Sequence, residues 1–262
     1  MDRDDSVFTG SIPDLYDRYL GPILFEPFAL DMAARFAGFG GAILETAAGT
    51  GRLTRALAAA APQAALAATD LNQPMLDRAA ALVTAPGVRW RQADAQALPF
   101  EDRSFDAVVC QFGVMFLPDK LAGFSEARRV LRPGGRFVFS VWGDLAENEL
   151  SVALQEALAR LFPDDIPQFL PRSPFGYHDE DEIGGVLAAA GFGAVDTETV
   201  TRVAAAESVG HFAVGQCMGS PLRAEIEARL PGGLDRTVEE VTPSWPGASA
   251  TAKWRPRLRP WW

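Results

Sequence analysis

The stretch Ile43-Leu44-Glu45-Thr46-Ala47-Ala48-Gly49-Thr50-Gly51 decides the fold. Its apolar start predicts a short buried strand over 42–45, and its small residues predict a loop over 46–51. A helix is predicted from Arg52 to about Ala61. Small side chains let a backbone approach a bound ligand closely. The order of strand, loop and helix therefore indicates a nucleotide-type ligand, although a glycine turn also joins strand and helix in many proteins that bind none.

Strands alternate with helices on the carboxyl side of this loop. Helices are predicted over 75–83 and 121–131. Further strands are predicted over 66–70, 88–92, 105–112 and 136–142. Such alternation predicts crossover connections and therefore an α/β fold with a doubly wound, mostly parallel sheet. Ligands of such sheets bind beyond the carboxyl ends of the strands.

Three acidic residues fall at the ends of successive predicted strands. Glu45 ends the first strand, Asp70 ends the second, and Asp94 follows the third. An acidic residue at the spacing of Asp70 from the loop can accept hydrogen bonds from ribose hydroxyls. Asp94 is placed to accept a hydrogen bond from an adenine amino group. Taken singly, each carboxylate could instead cap a helix or end a solvated loop.

A dinucleotide-binding site is the rival interpretation of the loop. Its fingerprint has three glycines, and here Thr54 stands at the position of the third. Glu45 beside the loop would also repel a pyrophosphate. A ligand that carries an ammonium and a sulfonium but no phosphate meets no such repulsion. The charges therefore favour S-adenosylmethionine over NAD.

Residues 42–142 resemble the class I S-adenosylmethionine-dependent methyltransferases, and most of all the branch with the ubiquinone/menaquinone C-methyltransferases. Four segments carry the resemblance, namely 43–51, Asp70-Leu71-Asn72-Gln73-Pro74-Met75-Leu76, Asp94-Ala95-Gln96-Ala97-Leu98-Pro99-Phe100 with Ser104-Phe105-Asp106, and Leu131-Arg132-Pro133-Gly134-Gly135. The resemblance implies a Rossmann-like, seven-stranded-type sheet under an N-terminal helical lid. It also implies S-adenosylmethionine as cofactor and S-adenosylhomocysteine as product.

The resemblance assigns cofactor-binding roles to particular positions. They are Tyr16, Tyr19, Glu45, Ala47, Gly49, Thr50, Gly51, Asp70, Leu71, Met75, Asp94, Ala95, Gln111 and Phe112. Leu71 and Met75 would pack near the adenine, and Gln111 and Phe112 would face the methyl group. Tyr16 and Tyr19 would belong to the lid, although both could equally pack the lid helix onto the sheet.

The expected activity is methyl transfer to a small molecule, with the acceptor atom left open among oxygen, carbon and nitrogen. The apolar segments 161–177 and 209–222 favour a lipophilic or aromatic acceptor. His178 is the weak candidate for a catalytic base, and it could instead be a helix N-terminal cap or an exposed loop residue. The alternatives are a protein that binds S-adenosylmethionine or a nucleoside without catalysis and, behind it, an NAD-dependent enzyme.

Composition narrows the possible partners. The net charge is −10, and a surface this acidic repels nucleic acid. The two cysteines, Cys110 and Cys217, show neither a pairing pattern nor metal-ligand spacing. With no signal peptide, no transit peptide and no membrane-spanning segment in the sequence, we expect a cytoplasmic protein. The sequence leaves open whether the protein is a monomer or a homodimer.

The chain is predicted to form one domain over 1–262, with an unusual carboxyl end. We expect a lid over 1–40, a cofactor-binding core over 41–143, an acceptor-side part over 144–241 and an atypical tail over 242–262. Prolines interrupt the tail, so the sequence does not predict the final antiparallel strand there. The tail is either a divergent or frame-shifted ending, or a basic and aromatic arm for a partner or a membrane surface.

Overall fold

A computed structural model describes residues 3–205, 208–242 and 249–258. The predictions on residues 1–2, on 206–207 and on the parts 243–248 and 259–262 of the tail lie outside the described residues. The strands are β1 Ala42–Glu45, β2 Ala65–Asp70, β3 Arg89–Gln92, β4 Phe105–Gln111, β5 Leu131–Trp142, β6 Asp196–Thr197, β7 Val200–Ala205 and β8 Ser249–Leu258.

Helices surround the sheet and precede it. They are α1 Ile12–Leu15, α2 Glu26–Ala34, α3 Arg52–Ala60, α4 Gln73–Leu82, α5 Lys120–Val130, α6 Glu149–Leu161, α7 Phe169–Arg172, α8 Glu180–Ala189, α9 Val209–Met218, α10 Leu222–Arg229 and α11 Leu234–Val241. A π-helical segment, Tyr16–Phe25, joins α1 to α2, and a 3-10 helix forms Arg3–Ser6. None of the helices in the described ranges has the length and apolar character needed to cross a bilayer.

The sheet has the predicted α/β, doubly wound and mostly parallel topology. Its order is β3-β2-β1-β4-β5-β8-β6, and β7 also pairs with β8. Strands β1 to β5 run parallel to one another. Strand β8 runs antiparallel to its neighbours β5, β6 and β7. The described residues form eight strand segments rather than the expected seven. Two of these, β6 and β7, follow each other along β8 in one continuous register.

The expectation that the tail lacks a final strand is wrong for residues 249–258. They form β8, which pairs antiparallel with β5 from Phe139↔Arg257 to Trp142↔Trp254. Of the prolines in the tail, only Pro256 falls inside β8. The pairing with β7 ends at Trp254, so Pro256 has a ladder partner only in β5. A proline is tolerated where its missing N–H faces a side without a ladder bond.

The π-helical segment contains Gly21 and Pro22. A Cβ added to Gly21 would lie 2.6 Å from Nη2 of Arg52, so only glycine leaves room for that guanidinium. Pro22 also removes one backbone donor inside the helix. The lid can therefore pack directly against Arg52, the first residue of α3.

A buried carboxylate of the lid receives that guanidinium. Arg52 donates to Oδ1 of Asp17 from Nη2 at 2.7 Å and from Nε at 3.0 Å. Thr50 donates to the same oxygen at 3.3 Å, and Arg78 reaches Oδ2 at 3.3 Å. Asp17 thus joins the lid to the small-residue loop, to α3 and to α4, and we call these four residues the Asp17 clamp.

Glu45 ends β1 as a buried acid beneath the loop. It is 1% exposed, and its Oε2 accepts a hydrogen bond from the Thr54 hydroxyl of α3 at 2.7 Å. Burial raises the pKa of Glu45 to about 8, above the ordinary value of 4.5. The folded protein therefore holds this proton over a pH range in which the unfolded chain has lost it.

We predict that Asp17→Asn lowers the free energy of unfolding by about 2 kcal/mol, because the largely buried guanidinium of Arg52 loses one of its two carboxylate partners and keeps only Glu26, at 2.5 Å. Urea denaturation measures this. Asp14→Asn is the matched control, since Asp14 is an exposed partner of Arg78 at 3.1 Å and should change stability by less than about 0.5 kcal/mol. Equal effects of the two substitutions would contradict the special role of Asp17.

We also predict a pH dependence that comes from Glu45. Because the folded state binds more protons than the unfolded state between its two pKa values, stability falls as the pH rises from about 4.5 to about 8. Glu45→Gln removes this loss and keeps an acceptor for Thr54. Between those pH values the native chain should lose on the order of 3 kcal/mol more than the variant in urea unfolding. Parallel pH profiles would show that Glu45 titrates normally.

Candidate functional site

A cleft lies at the carboxyl ends of β1, β2 and β4, where the sequence predicts the ligand. Its volume is about 940 Å³, including space open to solvent. It is lined by Ser6, Phe8, Tyr16, Ala47, Gly49, Asp70, Leu71, Asn72, Met75, Ala93, Asp94, Ala95, Gln96, Gln111, Phe112, Gly113, Phe116, Leu117 and Pro118. Ten of the fourteen predicted cofactor-binding residues are therefore brought together in one place.

The loop presents its backbone to this cleft. Ala47 and Gly49 both have left-handed backbones, with φ of 52° and 56°. A Cβ added to Gly113, after β4, would lie 2.4 Å from the Cβ of Ala47, so the two loops pack in near-contact. A ligand can thus lie against backbone rather than against bulky side chains.

Asp70 holds the loop while it faces the cleft. Its Oδ2 accepts from the backbone N–H of Gly49 at 2.9 Å, and its Oδ1 accepts from that of Asn72 at 2.8 Å. A carboxylate has lone pairs for further donors, so the hydroxyls of a ribose could still bind here. Burial raises the pKa of Asp70, and the two backbone hydrogen bonds oppose that rise.

The charge of the cleft fits a cationic ligand without phosphate. Among the described residues that line it, Asp70 and Asp94 are the charged ones, and no lysine, arginine or histidine takes part. An ammonium or sulfonium group is attracted to such a lining, and a pyrophosphate is repelled. S-adenosylmethionine fits this donor set, and a dinucleotide does not.

Four predicted residues lie outside the cleft lining. Glu45 is buried beneath the loop, and Thr50 belongs to the Asp17 clamp. Gly51 caps α3 with φ of 82°, and a Cβ there would lie 2.9 Å from Val83 of α4. Tyr19 packs against His211 of α9, with ring centroids 5.3 Å apart. These placements give the four residues structural contacts, and their contact with a cofactor stays a prediction.

Residues 3–9, the N-terminal strap, lie within the predicted lid, but none of them was predicted individually as a site residue. Asn72 ties it down, because its Oδ1 accepts from the N–H of Phe8 at 3.1 Å and its Nδ2 donates to the carbonyl of Ser6 at 2.9 Å. The other end of the strap is fixed by Asp5, which is bound by Arg172 at 2.6 Å. Only the position of Asn72 two residues after Asp70 could have pointed to this contact.

A second cavity, of about 670 Å³ including space open to solvent, adjoins the cleft. It is formed by the lid, the ends of β4 and β5 and residues of α6, α7 and α9. The lining residues are Phe8, Tyr16, Leu20, Leu24, Phe25, Phe112, Phe116, Trp142, Asn148, Leu150, Ser151, Phe169, Leu170, Pro174, Phe175, Gln216, Ser220 and Pro221. No charged side chain occurs among these described residues, so we call this the apolar cavity.

The cleft and the apolar cavity share a wall. Phe8, Tyr16, Phe112 and Phe116 line both, and we call them the aromatic wall. Phe112 has a left-handed backbone with φ of 51°, and its N–H donates to Oγ of Ser140 at 3.0 Å. Its ring stacks on Trp142 with centroids 3.9 Å apart. A strained backbone that is held on both sides fixes Phe112 between the two spaces.

Of two further predicted residues, Gln111 lies beside this wall and Tyr16 is part of it. Gln111 lines the cleft, and its Nε2 donates to the carbonyl of Phe25 in the lid at 2.9 Å. Tyr16 stacks on Phe25 with centroids 4.8 Å apart. Burial raises the pKa of the Tyr16 phenol far above its ordinary value, so the group stays protonated and can donate but not act as a base.

His178, the weak candidate for a catalytic base, lies outside the lining of both spaces. Its Nδ1 is 2.8 Å from the carbonyl oxygen of Phe175, and its Nε2 is 3.5 Å from Asp144. Within the described ranges no group of three or more histidine, cysteine, aspartate or glutamate side chains could hold a metal ion.

Comparison with known proteins identifies the family. The model of the methyltransferase domain family matches residues 44–139. A demethylmenaquinone methyltransferase of Thermus thermophilus is 34% identical over 179 residues, which make up 64% of this chain and 81% of that protein. The uncharacterised protein Rv1405c of Mycobacterium tuberculosis is 41% identical over 125 residues, which span 47% of this chain but only 42% of that protein.

Among solved structures, a phosphoethanolamine N-methyltransferase 2 of Haemonchus contortus superposes with a TM-score of 0.61. The match covers 95% of this chain and 57% of that one at 18% identity, and that structure contains S-adenosylhomocysteine. This likeness shows the shared fold. With the family model and the relatives, it shows that the chain belongs to the class I S-adenosylmethionine-dependent methyltransferases, in the family of the ubiquinone/menaquinone C-methyltransferases.

Proposed function

We propose that this chain transfers the methyl group of S-adenosylmethionine to a neutral, lipophilic small molecule with an aromatic ring. The aromatic wall is the observation that carries the proposal, because it separates an acidic cleft from an apolar cavity by single side chains. A donor in the cleft and an acceptor in the cavity would meet at Tyr16 and Phe112.

The cofactor would lie along the cleft. Asp70 would accept from ribose hydroxyls, and Asp94 and Ala95 would meet the adenine edge. Ala47 and Gly49 would border the methionine part with backbone, and Phe112 and Gln111 would lie toward the methyl group. When bound, the cofactor supplies a methyl group on a sulfonium, which is already a good leaving group.

The protein would position the acceptor and exclude water from it. Aromatic and aliphatic side chains line the apolar cavity, so they exclude water and hold a flat apolar ring in one orientation. Neither an acidic nor a basic side chain lines it among the described residues, and Tyr16 stays protonated. These features favour an acceptor whose nucleophilic atom needs no strong base from the protein, such as an electron-rich ring carbon.

The acceptor class also has support from the relatives. The name of the Thermus thermophilus protein states action on demethylmenaquinone, whose ring is aromatic when reduced. The apolar cavity has the chemistry that such a ring would require. The acceptor side draws on residues of the lid and of 144–241, as the predicted division of the chain proposes.

Mass spectrometry of reaction mixtures tests the proposal. The chain is incubated with S-adenosylmethionine and either 1,4-dihydroxynaphthalene under reducing conditions or the polar amines histamine and phosphoethanolamine. We expect methylated 1,4-dihydroxynaphthalene and S-adenosylhomocysteine in equal amounts. Turnover of only the amines would reject the apolar acceptor. Tight binding of S-adenosylmethionine without turnover of any acceptor in a broader aromatic panel would favour a non-catalytic binding protein.

Two glycines of the loop give a matched pair of predictions. An alanine at either position pays for a left-handed backbone, about 1–2 kcal/mol. At Gly51 the methyl also overlaps Val83 and Ala79, so Gly51→Ala should lose a further ~1–3 kcal/mol in urea unfolding. At Gly49 the methyl meets only Met75 of the cleft, at 3.8 Å. Gly49→Ala should instead weaken S-adenosylhomocysteine binding by about tenfold or more in calorimetry, roughly 1.4 kcal/mol.

The opposite result would contradict the cleft assignment. If Gly49→Ala binds S-adenosylhomocysteine normally while Gly51→Ala loses binding without losing stability, the cofactor lies on the other side of the loop.

A further inference from the structure

Four polar side chains with buried positions line the apolar cavity. They are Asn148, Ser151, Gln216 and Ser220, each 5% exposed or less. Two of them are committed to local structure. Nδ2 of Asn148 donates to the carbonyl of Asp144 at 2.8 Å. Oγ of Ser220 donates to the carbonyl of Gln216 at 2.7 Å and accepts from the N–H of Leu222 at 3.2 Å.

Gln216 and Ser151 differ from these two. Within the described residues, neither the side-chain amide of Gln216 in α9 nor the hydroxyl of Ser151 in α6 has a hydrogen-bond partner from the protein. Both side chains line the space of the apolar cavity, so their hydrogen-bonding capacity is left for a molecule that enters it. The apolar neighbours in the lining, such as Leu20, Leu24 and Phe169, offer no partner.

We propose that Gln216 and Ser151 select the acceptor by binding a neutral hydroxyl or carbonyl group on its ring. This rests on the proposed function, because it takes the apolar cavity as the acceptor site. The amide of Gln216 and the hydroxyl of Ser151 each donate and accept, so both groups suit them. A charged group does not, since the lining offers no counter-ion.

Such an arrangement gives specificity beyond shape. An apolar cavity alone separates ring systems weakly, whereas a site with buried hydrogen-bonding groups rejects an analogue that lacks the matching group. A ring with a hydroxyl should therefore bind better than a ring with a methyl group in its place. Removal of the protein partner should abolish most of that preference.

Binding of two probes to the protein saturated with S-adenosylhomocysteine tests the proposal. The probes are 2-naphthol and 2-methylnaphthalene, and the Kd of each is measured by fluorescence titration. The preference for 2-naphthol should fall about fivefold in Gln216→Met, the loss expected for one net hydrogen bond. A smaller fall is expected in Ser151→Ala. Thr237→Val is the control, because its buried hydroxyl donates to the carbonyl of Gly233 at 2.9 Å and Thr237 lies outside the cavity lining, so the variant should keep the native preference.

Thermal unfolding of the ligand-free variants separates a binding role from a structural one. Gln216→Met removes an unpartnered amide, so its Tm should equal or exceed that of the native chain. Ser220→Ala should lower the Tm, because two local hydrogen bonds are lost. A preference that is unchanged in both Gln216→Met and Ser151→Ala, or a Tm that falls in Gln216→Met, would overturn the proposal.

The test also separates this proposal from the one on which it rests. Failure of both probes to bind the native protein would reject the apolar cavity as an acceptor site, and the selection by Gln216 and Ser151 with it. Binding of both probes with an unchanged preference in the variants would reject only the selection.

Discussion

The ion pair between Arg52 and Asp17 determines how the rest of this site is assembled. Arg52 follows directly after the loop, and Asp17 is a buried residue of the lid. Its two short contacts, both below 3.1 Å, bring an otherwise separate helical segment over the carboxyl ends of the strands. These contacts hold the lid against α3, and removal of either partner would leave the other with fewer partners in a buried position. Glycine at position 21 is the local requirement for this approach.

The closed lid gives the molecule two spaces of opposite character. The sheet ends and the loop form an acidic cleft, whereas the lid, the ends of β4 and β5 and residues of α6, α7 and α9 form an apolar cavity. The aromatic wall belongs to both. Methyl transfer requires a donor and an acceptor to be aligned without water between them, and a wall made of single rings allows this arrangement. In the proposed function, the donor and the acceptor are therefore recognised in separate spaces.

The sequence predicted the part of the fold that local sequence patterns determine. The parallel strands and the loop were predicted because apolar runs and small residues alternate with helical patterns, and the structure confirms that topology. The final strand was missed because the prolines in the tail were considered without the strand register. Pro256 lies at a position where β8 has a ladder partner on one side only.

For the site, the sequence identified residues at the strand ends more reliably than residues that only tertiary packing brings to the site. Asp70, Asp94 and Phe112 line the cleft because each ends or follows a strand. Thr50 and Gly51 share the loop but face the lid and α4, a difference that spacing along the chain does not reveal. Ser151 and Gln216 could not be recognised, because their proposed role depends on which hydrogen-bond partners tertiary packing gives or denies them.

The most direct test of the central claim is a crystal structure of the chain with S-adenosylhomocysteine bound. The account predicts that the adenosine lies against Asp70 and Asp94 and that the sulfur lies at the aromatic wall, beside Phe112 and facing the apolar cavity. A sulfur atom directed away from that cavity, or a cofactor bound outside the cleft, would contradict it.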